Sequence, residues 1–466
     1  VTVAELRTMR GGAVRPPLVL AALLVAVASF QMNATMLAPA VTSMTTELGT
    51  DAPTIGISAS VFTFVAALAG LFWPPLSDGI GRRRALLVSL SVMSLGSLIA
   101  MLAVDVPMLM VGRALQGACG ATFSLAFLLL REMLDARRFG RYLGIVTAVN
   151  AGVGGVDTLL GGVIADAIGF RGIFGLTLVL EILAVALIAA WAPEVRPAGK
   201  TRMDWGGIGA LTLALLGINF ALSSAFSPGG WGAVATWAWF GVAAIALVAF
   251  RFIEDRAAQP LLPVRDFADR AVWGTLLTTF FTLASSFALL IFLVPTLSQD
   301  ATAGFGLNGT VSALMFLVPY SLLGWATAPL VGTFAPRIGY RLLLRCGLGG
   351  SLLLATGMVL GHQNPWTLAI LVFFMGATYS ACAATTLNGL GIIYAPKAHP
   401  GILPGLTSTM FNFGASVGIG MLAATVSASP GPDGYRQAFI VAAVLAGLAL
   451  LVSFALPARE REGERV

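Results

Sequence analysis

Pro74-Pro75-Leu76-Ser77-Asp78-Gly79-Ile80-Gly81-Arg82-Arg83 is a short polar loop between two long apolar runs, and the chain repeats it. Gly332-Thr333-Phe334-Ala335-Pro336-Arg337-Ile338-Gly339-Tyr340-Arg341 stands in the same setting, with Ile80, Gly81 and Arg83 returning as Ile338, Gly339 and Arg341 at an offset of 258 residues. The same offset lays the first apolar run of the chain onto the ninth. Two halves of one orientation are a recurring plan of membrane carriers, with the solute site between the halves near the middle of the bilayer.

Composition agrees. Of 466 residues, 58% are apolar and only 10% charged, against roughly 25% charged in an average soluble domain. Mean hydropathy is +0.90. So little charge cannot cover a water-exposed surface, and disorder is excluded because disordered chains are poor in apolar residues. The 54 Gly and 23 Pro match the higher use of both in transmembrane helices. A soluble enzyme, a secreted disulfide scaffold and a nucleic-acid binder are all excluded on this basis. Cys119, Cys346, Cys382, His362 and His399 do not form a zinc-site pattern, and no phosphate-cradling Gly-Lys loop is present, so ATP is not expected to drive the protein. No cofactor is expected.

Fourteen runs reach the roughly 20 apolar residues that cross a hydrocarbon core, from about 17–41 to about 434–456. The Lys and Arg residues test that count. Twenty-four of the 27 fall on loops of one parity, only Arg171 and Arg436 on the other, and Arg113 lies inside a span. Basic loops stay in the cytoplasm, so both termini are expected there, in a multi-pass protein of the cell membrane. The basic residues orient the chain against anionic lipid heads, which accounts for a pI near 9.6 without a nucleic-acid partner. The expected fold is all-α, with 14 transmembrane helices arranged 6+2+6. Residues 1–195 form an N-terminal six-helix bundle, 196–271 a two-helix insert and linker, and 272–466 a C-terminal six-helix bundle with a short tail.

At this point the sequence resembles the major facilitator superfamily, and in particular its 14-span drug:proton antiporter family. Asp78, Gly81, Arg82 and Arg83 match the family's loop signature between spans 2 and 3, with Pro74 in place of its first Gly. Arg113-Ala114-Leu115-Gln116-Gly117-Ala118-Cys119-Gly120 matches its span 4 pattern. Met203-Asp204-Trp205-Gly206-Gly207 opens the insert, and Glu254 with Pro260-Leu261-Leu262 closes it, as in the family. The span 5 antiporter motif is only partly kept, since Asp157-Thr158 stand where Gly-Pro is expected before Gly161-Gly162. Span 1 has Asn33 where many-drug members carry an acid. The resemblance implies that Asp78, Gly81, Arg82 and Arg83 act as a conformational latch.

Charge inside a span is costly and therefore informative. Asp157 and Glu181 are the acids well inside spans, and Arg113 is the interior base. At 1.5 Å per residue, Arg113 lies roughly 9 Å and Asp157 roughly 14 Å from the outer ends of their spans. Asp157 is therefore expected to carry protons with Arg113 as its pairing and tuning partner, the alternative being a static ion pair that fixes helix packing. Glu181 is a second proton-site candidate, with a hydrogen-bonded structural acid as its alternative. Gln31, Asn33, Gln116, Asn150, Tyr320, Asn388, Phe411 and Asn412 are candidates for the solute cavity. Polar stripes at Thr378, Thr385 and Asn388 and at Ser408, Asn412 and Ser416 either line that cavity or tie helices together. With the resemblance, these features imply proton-coupled efflux of hydrophobic or amphiphilic molecules by alternating access. Uptake or uniport of a metabolite, and a non-transporting scaffold or sensor, are the competing expectations. Expected partners are a small-molecule substrate, protons and membrane lipids.

Overall fold

A computed structural model of the chain describes residues 15–134, 136–195, 204–256, 269–394 and 402–457. Its helices follow the apolar runs: α1 Pro16–Leu48, α2 Ala52–Ile80, α3 Arg82–Met101, α4 Val106–Met133, α5 Ala136–Ile168, α6 Phe170–Trp191, α7 Trp205–Ala225, α8 Val234–Arg256, α9 Arg270–Gln299, α10 Gly309–Ala335, α11 Tyr340–Gly361, α12 Pro365–Gly391, α13 Ile402–Ala428 and α14 Pro432–Ser453. Thirteen helices among the described residues are long and apolar enough to cross a membrane, and α5, 33 residues long, is the fourteenth rod.

Short polar side chains set the helix starts. Asp51, Asp105, Asp204, Asp269, Asn308 and Asn364 each accept a backbone N–H of the first turn of α2, α4, α7, α9, α10 and α12. Such a cap satisfies one of the donors that a helix start leaves unpaired. Glycines make the tight reversals. Gly81 and Gly339 hold φ of 101° and 98° before α3 and α11, and Gly169 and Gly431 hold 79° and 100° before α6 and α14. A side chain is strained in that region. The two loops that share Ile, Gly and Arg thus share a backbone conformation, as do the corners before α6 and α14.

The halves meet along α2 and α13, and along α5 against α10. A Cβ on Gly70 would stand 2.6 Å from Thr409 Oγ1, so α2 and α13 approach closely there. Ser60 and Ser416 exchange hydroxyl-to-carbonyl bonds of 2.9 Å across the same seam, and Asn219 of α7 donates to Ser416 at 2.8 Å. Ser416 therefore ties helices together. The pair α7 and α8 packs chiefly on itself and touches the rest mainly through α13. At the arginine-rich end, Arg82 bonds Asp78 at 2.5 Å and Glu132 at 3.0 Å, and Arg83 donates to Ala189 O at 2.6 Å. The loop that opened the sequence reading is thus fastened to the ends of α4 and α6. Its second copy is fastened likewise: Arg341 and Arg345 donate to Leu456 O and Ser453 O at the end of α14.

Candidate functional site

A cavity of about 290 Å³ lies between the halves. Its walls come from α1, α2 and α4 on one side and α9, α12 and α13 on the other. Phe30, Phe123, Phe127, Phe287 and Phe411 supply ring faces, and Gln31, Asn388 and Asn412 supply carboxamides. Phe287 meets Phe411 edge to face at 5.7 Å. Asn412 donates to Ser408 O at 3.1 Å within its own helix. The Gln31 and Asn388 amides both face the cavity, where their donors and acceptors can meet an occupant. Among the described residues no charged side chain lines the cavity.

Helix depth shows where the cavity opens. Thr407 and Phe127 both line it, and each lies roughly 8–9 Å from the arginine-rich end of its helix. At the other end the halves are sealed. Asp166 of α5 accepts the Gly309 and Thr310 N–H groups of α10 at 3.0 and 2.8 Å. Gln299 of α9 donates to Ala38 O at 3.2 Å and accepts the Thr42 N–H at 3.2 Å. A Cβ on Gly162 would meet Gly309 O at 2.7 Å, so no room remains there. The state shown is closed at that end and hollow toward the arginines.

The interior charges lie beside this cavity, in the first half. Arg113 is 2% exposed, Asp157 3% and Glu181 0%. The expected ion pair of Arg113 with Asp157 does not form. Arg113 donates to Gln116 Oε1 at 2.8 Å and to Asn33 O at 3.1 Å, with its guanidinium 4.2 Å above the Phe62 ring. Gln116 donates to Ser97 Oγ at 2.8 Å, and Ser97 donates to Glu181 Oε1 at 2.7 Å. Asn33 also donates to Glu181 Oε1 at 2.7 Å. Glu181 is thus the acid on the Arg113 side of α1. Asp157 lies on α5 and accepts the Thr35 hydroxyl. Side chains two residues apart point to different sides of a helix, so α1 presents Asn33 to one acid and Thr35 to the other.

The glycines beside these residues serve close packing. The α4 helix is interrupted between Gly117 and Thr122. A Cβ on Gly117 or Gly120 would stand 2.4 Å from Phe62 O or Ala66 Cα of α2, and one on Gly161 would stand 2.2 Å from Met36 O. These contacts bring Arg113 and Gln116 against α1 and α2.

The predicted cavity residues divide. Gln31, Asn388, Phe411 and Asn412 line it, as do Thr385 and Ser408 of the polar stripes. Asn33 and Gln116 do not, because Glu181, Ser97 and Arg113 occupy their amides. Tyr320 does not either: its turn packs against Gly376 of α12, where a Cβ would stand 2.2 Å from Tyr320 O. Thr378 turns to Ser351 of α11 at 3.3 Å, and Phe413 packs between Phe64 and Phe280. The Asn150 side chain lies outside the described residues. Sequence reading passes over Ser97, Thr35, Phe62 and most of the cavity phenylalanines, since one apolar or hydroxyl residue among many gives no signal of which neighbour it meets.

Comparison with known proteins fits this architecture. The profile described as Major Facilitator Superfamily matches residues 23–419 and 275–466. The chain belongs to the major facilitator superfamily. It is therefore a transporter-type protein and not an enzyme, and among the described residues no group of His, Cys, Asp and Glu could hold a metal. It is 35% identical over 450 residues to the uridine/deoxyuridine transporter of Lactococcus lactis subsp. cremoris (strain MG1363), covering 94% of this chain and 93% of that one. It is 25% identical over 405 residues to multidrug resistance protein 3 of Bacillus subtilis (strain 168), covering 85% and 77%. The fold is similar to that of a D-xylose-proton symporter, with a TM-score of 0.68 at 12% identity over 95% of this chain and 97% of that one. The protein is thus a multi-pass membrane transporter of small molecules.

Proposed function

We propose that the protein carries neutral, flat, hydrogen-bonding solutes of the pyrimidine nucleoside class across the cell membrane together with protons. The observation that carries this is the cavity lining: ring faces and carboxamides from both halves and, among the described residues, no charge. Phenylalanine faces stack on a nucleobase, an interaction worth about 1–3 kcal/mol per base. A carboxamide offers one acceptor and two donors on one plane, which suits the alternating edge of a pyrimidine. The volume of about 290 Å³ lies at the small end of the roughly 300–1,000 Å³ of small-molecule sites. The uridine/deoxyuridine transporter, 35% identical along nearly the whole chain, supports the same class.

The 6+2+6 arrangement, with residues 1–195 and 272–466 as the rocking halves and 196–271 as insert, belongs to this proposal. So does a cytoplasmic arginine-rich end, which makes the state shown inward-facing. The bond set of Asp78, Gly81, Arg82 and Arg83 then latches the cytoplasmic rim of the first half. Protons ride on the buried carboxyls that flank α1, Asp157 and Glu181, with Arg113 biasing them. Because the described lining of the cavity holds no carboxyl, solute and proton do not compete for one site there. That supports joint passage, and hence uptake down a proton gradient.

Drug efflux by proton antiport is the second reading. The 25% identity to multidrug resistance protein 3 and the aromatic cavity wall favour it. One assay separates the two. Proteoliposomes loaded with a pH-sensitive dye receive uridine, 2′-deoxyuridine or the lipophilic cation ethidium. Uridine-evoked proton entry with accumulation of radiolabelled uridine is expected. Proton exit from acid-loaded vesicles evoked by ethidium alone would overturn the nucleoside assignment and establish antiport.

A further inference from the structure

We infer that Glu181 is the proton-binding residue that drives transport, and that Phe62 is the positioning residue linking it to the solute cavity. This rests on the proposed proton-coupled nucleoside transport.

Glu181 and Asn33 are joined at 2.7 Å through Asn33 Nδ2 and Glu181 Oε1. Each also has an oxygen that is buried without a partner, Glu181 Oε2 and Asn33 Oδ1. Both orphans are acceptors when Glu181 is ionised, and such groups are costly to bury. A proton on Glu181 Oε2 turns that atom into a donor on a carboxyl already bonded to an amide whose oxygen lacks one. A carboxylic acid and a carboxamide then satisfy each other through both atoms. The Glu181–Asn33 pair is therefore complete only with the proton in place.

The rest of the network supplies a means of release. The titratable groups facing Glu181 from packed helices are Arg113 and Cys119, both on α4. Asp157 of α5 instead meets Thr35. Arg113 reaches Glu181 through Gln116 and Ser97, and its Nε is also buried without a partner. Arg113 is thus incompletely held, and a small shift toward Glu181 favours the ionised acid. Its position depends on Phe62, whose ring lies 4.2 Å beneath it. Phe62 in turn stacks on Phe30 at 5.5 Å with planes 29° apart, and Phe30 lines the cavity. A base stacked on Phe30 presses through Phe62 on the guanidinium that governs the proton.

Two measurements on reconstituted full-length protein test this. Infrared difference spectra recorded across a pH titration read the carbonyl band of a protonated buried carboxyl, with no substrate present. Loss of a titrating band in Glu181→Gln, and its retention in Asp157→Asn, is expected. Absence of any Glu181-dependent band overturns the inference. The second measurement compares proton-driven accumulation of radiolabelled uridine with uridine counterflow, which needs no net proton movement. In Glu181→Gln, accumulation should fall at least tenfold while counterflow stays within twofold, and Glu181→Asp should restore part of the accumulation. Phe62→Leu should keep the infrared band but reduce protons moved per uridine. Unchanged coupling in Glu181→Gln overturns the assignment of the carrier, and unchanged coupling in Phe62→Leu overturns the link. If the native protein moves no uridine, the nucleoside reading fails instead, and the infrared titration still decides Glu181. Should Glu181→Gln not fold, the Asn33→Leu variant replaces it, with a shifted titration expected and an unshifted one contrary to the inference.

Discussion

The helices before and after the α7–α8 pair turn on matching glycine corners, yet their interiors differ in kind. The first half buries Arg113, Asp157 and Glu181 in regular helices. The second has no charged side chain in the middle of any span, but its helices open into wide π-type turns at Leu283–Phe287, Leu289–Leu293, Ala313–Leu317 and Gly376–Ala384. Among the described residues those turns occur only in the second half. Wide turns concentrate at functional positions, and Phe287 of the first of them reaches the cavity. The difference teaches a division of labour. Charge is held among hydrogen-bonding side chains inside the helix packing of the first half. A neutral solute is met by hydroxyls, amides and rings on helices whose local winding shapes the wall.

The largest expected effect breaks the charged side. Arg113→Ala removes the donor to Gln116 and Asn33 and leaves Glu181 without its cation. Deleting one partner of a buried charged network costs about 3–5 kcal/mol. Proton-driven uridine accumulation should fall by about 100-fold or more, with a lower melting temperature in detergent. A variant that still accumulates uridine to within threefold of native would show that charge in this half is structural only.

Next comes the neutral side. Asn388→Ala removes a cavity carboxamide of α12, and Gln31→Ala its counterpart on α1. A net hydrogen bond is worth about 1–1.5 kcal/mol, which is close to tenfold in affinity. KM for uridine should rise by about that factor in each variant, with protons moved per uridine unchanged. A change in stoichiometry with constant KM would erase the division between the halves.

How much of this is legible in sequence depends on the question asked. Span existence and the duplication are legible because bilayer thickness demands long apolar runs and lipid heads sort the arginines. The repeat of Gly81 at Gly339 even announces the left-handed corners. Depth along a helix is legible too, from the 1.5 Å rise. What depth cannot give is the neighbour. Asp157 and Glu181 both match Arg113 in depth, and only the packing of α1 between them decides that Asn33 serves one acid and Thr35 the other. Gln116 and Asn33 read as cavity amides for the same reason: a polar residue on a helix face does not reveal that another side chain already occupies it. Asn388 and Asn412, on a half without interior charge, meet no charged side chain there and line the cavity instead.

A smaller effect should appear at the seal opposite the arginines, where the halves touch through Asp166 and the start of α10. Asp166→Asn keeps an acceptor but loses the charge that favours a helix N-terminus, an effect of about 0.3–1 kcal/mol. The balance between inward- and outward-facing states should shift about two- to fivefold toward outward. Spin labels at Thr46 and Val311, both exposed near that seal, would report it as a larger long-distance population in pulsed electron resonance. An unchanged distribution would mean that close packing at Gly162 and Gly309, rather than charge, closes this end.

The smallest effect concerns the loop that follows the second sealing residue, Gln299. Its neighbour Asp300 is partly buried, which alone would raise its pKa. The N–H of Ala303 and the hydroxyl and N–H of Thr302 outweigh that, with the Tyr435 hydroxyl at 2.9 Å, and hold the carboxyl below its usual range. A carboxyl whose pKa is depressed in the folded state stabilises that state above its unfolded pKa. It loses the contribution as pH falls through the folded value. The loop should therefore loosen only below the ordinary carboxylate range, well under the acidity that transport experiences. Hydrogen exchange at residues 300–308 should rise at such pH in the native protein, and should already be raised at neutral pH in Asp300→Ala. If the native loop instead loosened near neutrality, Asp300 would be a proton sensor of the seal. The second half would then hold a working acid after all, and the division between charged and neutral halves would fail at its outer rim.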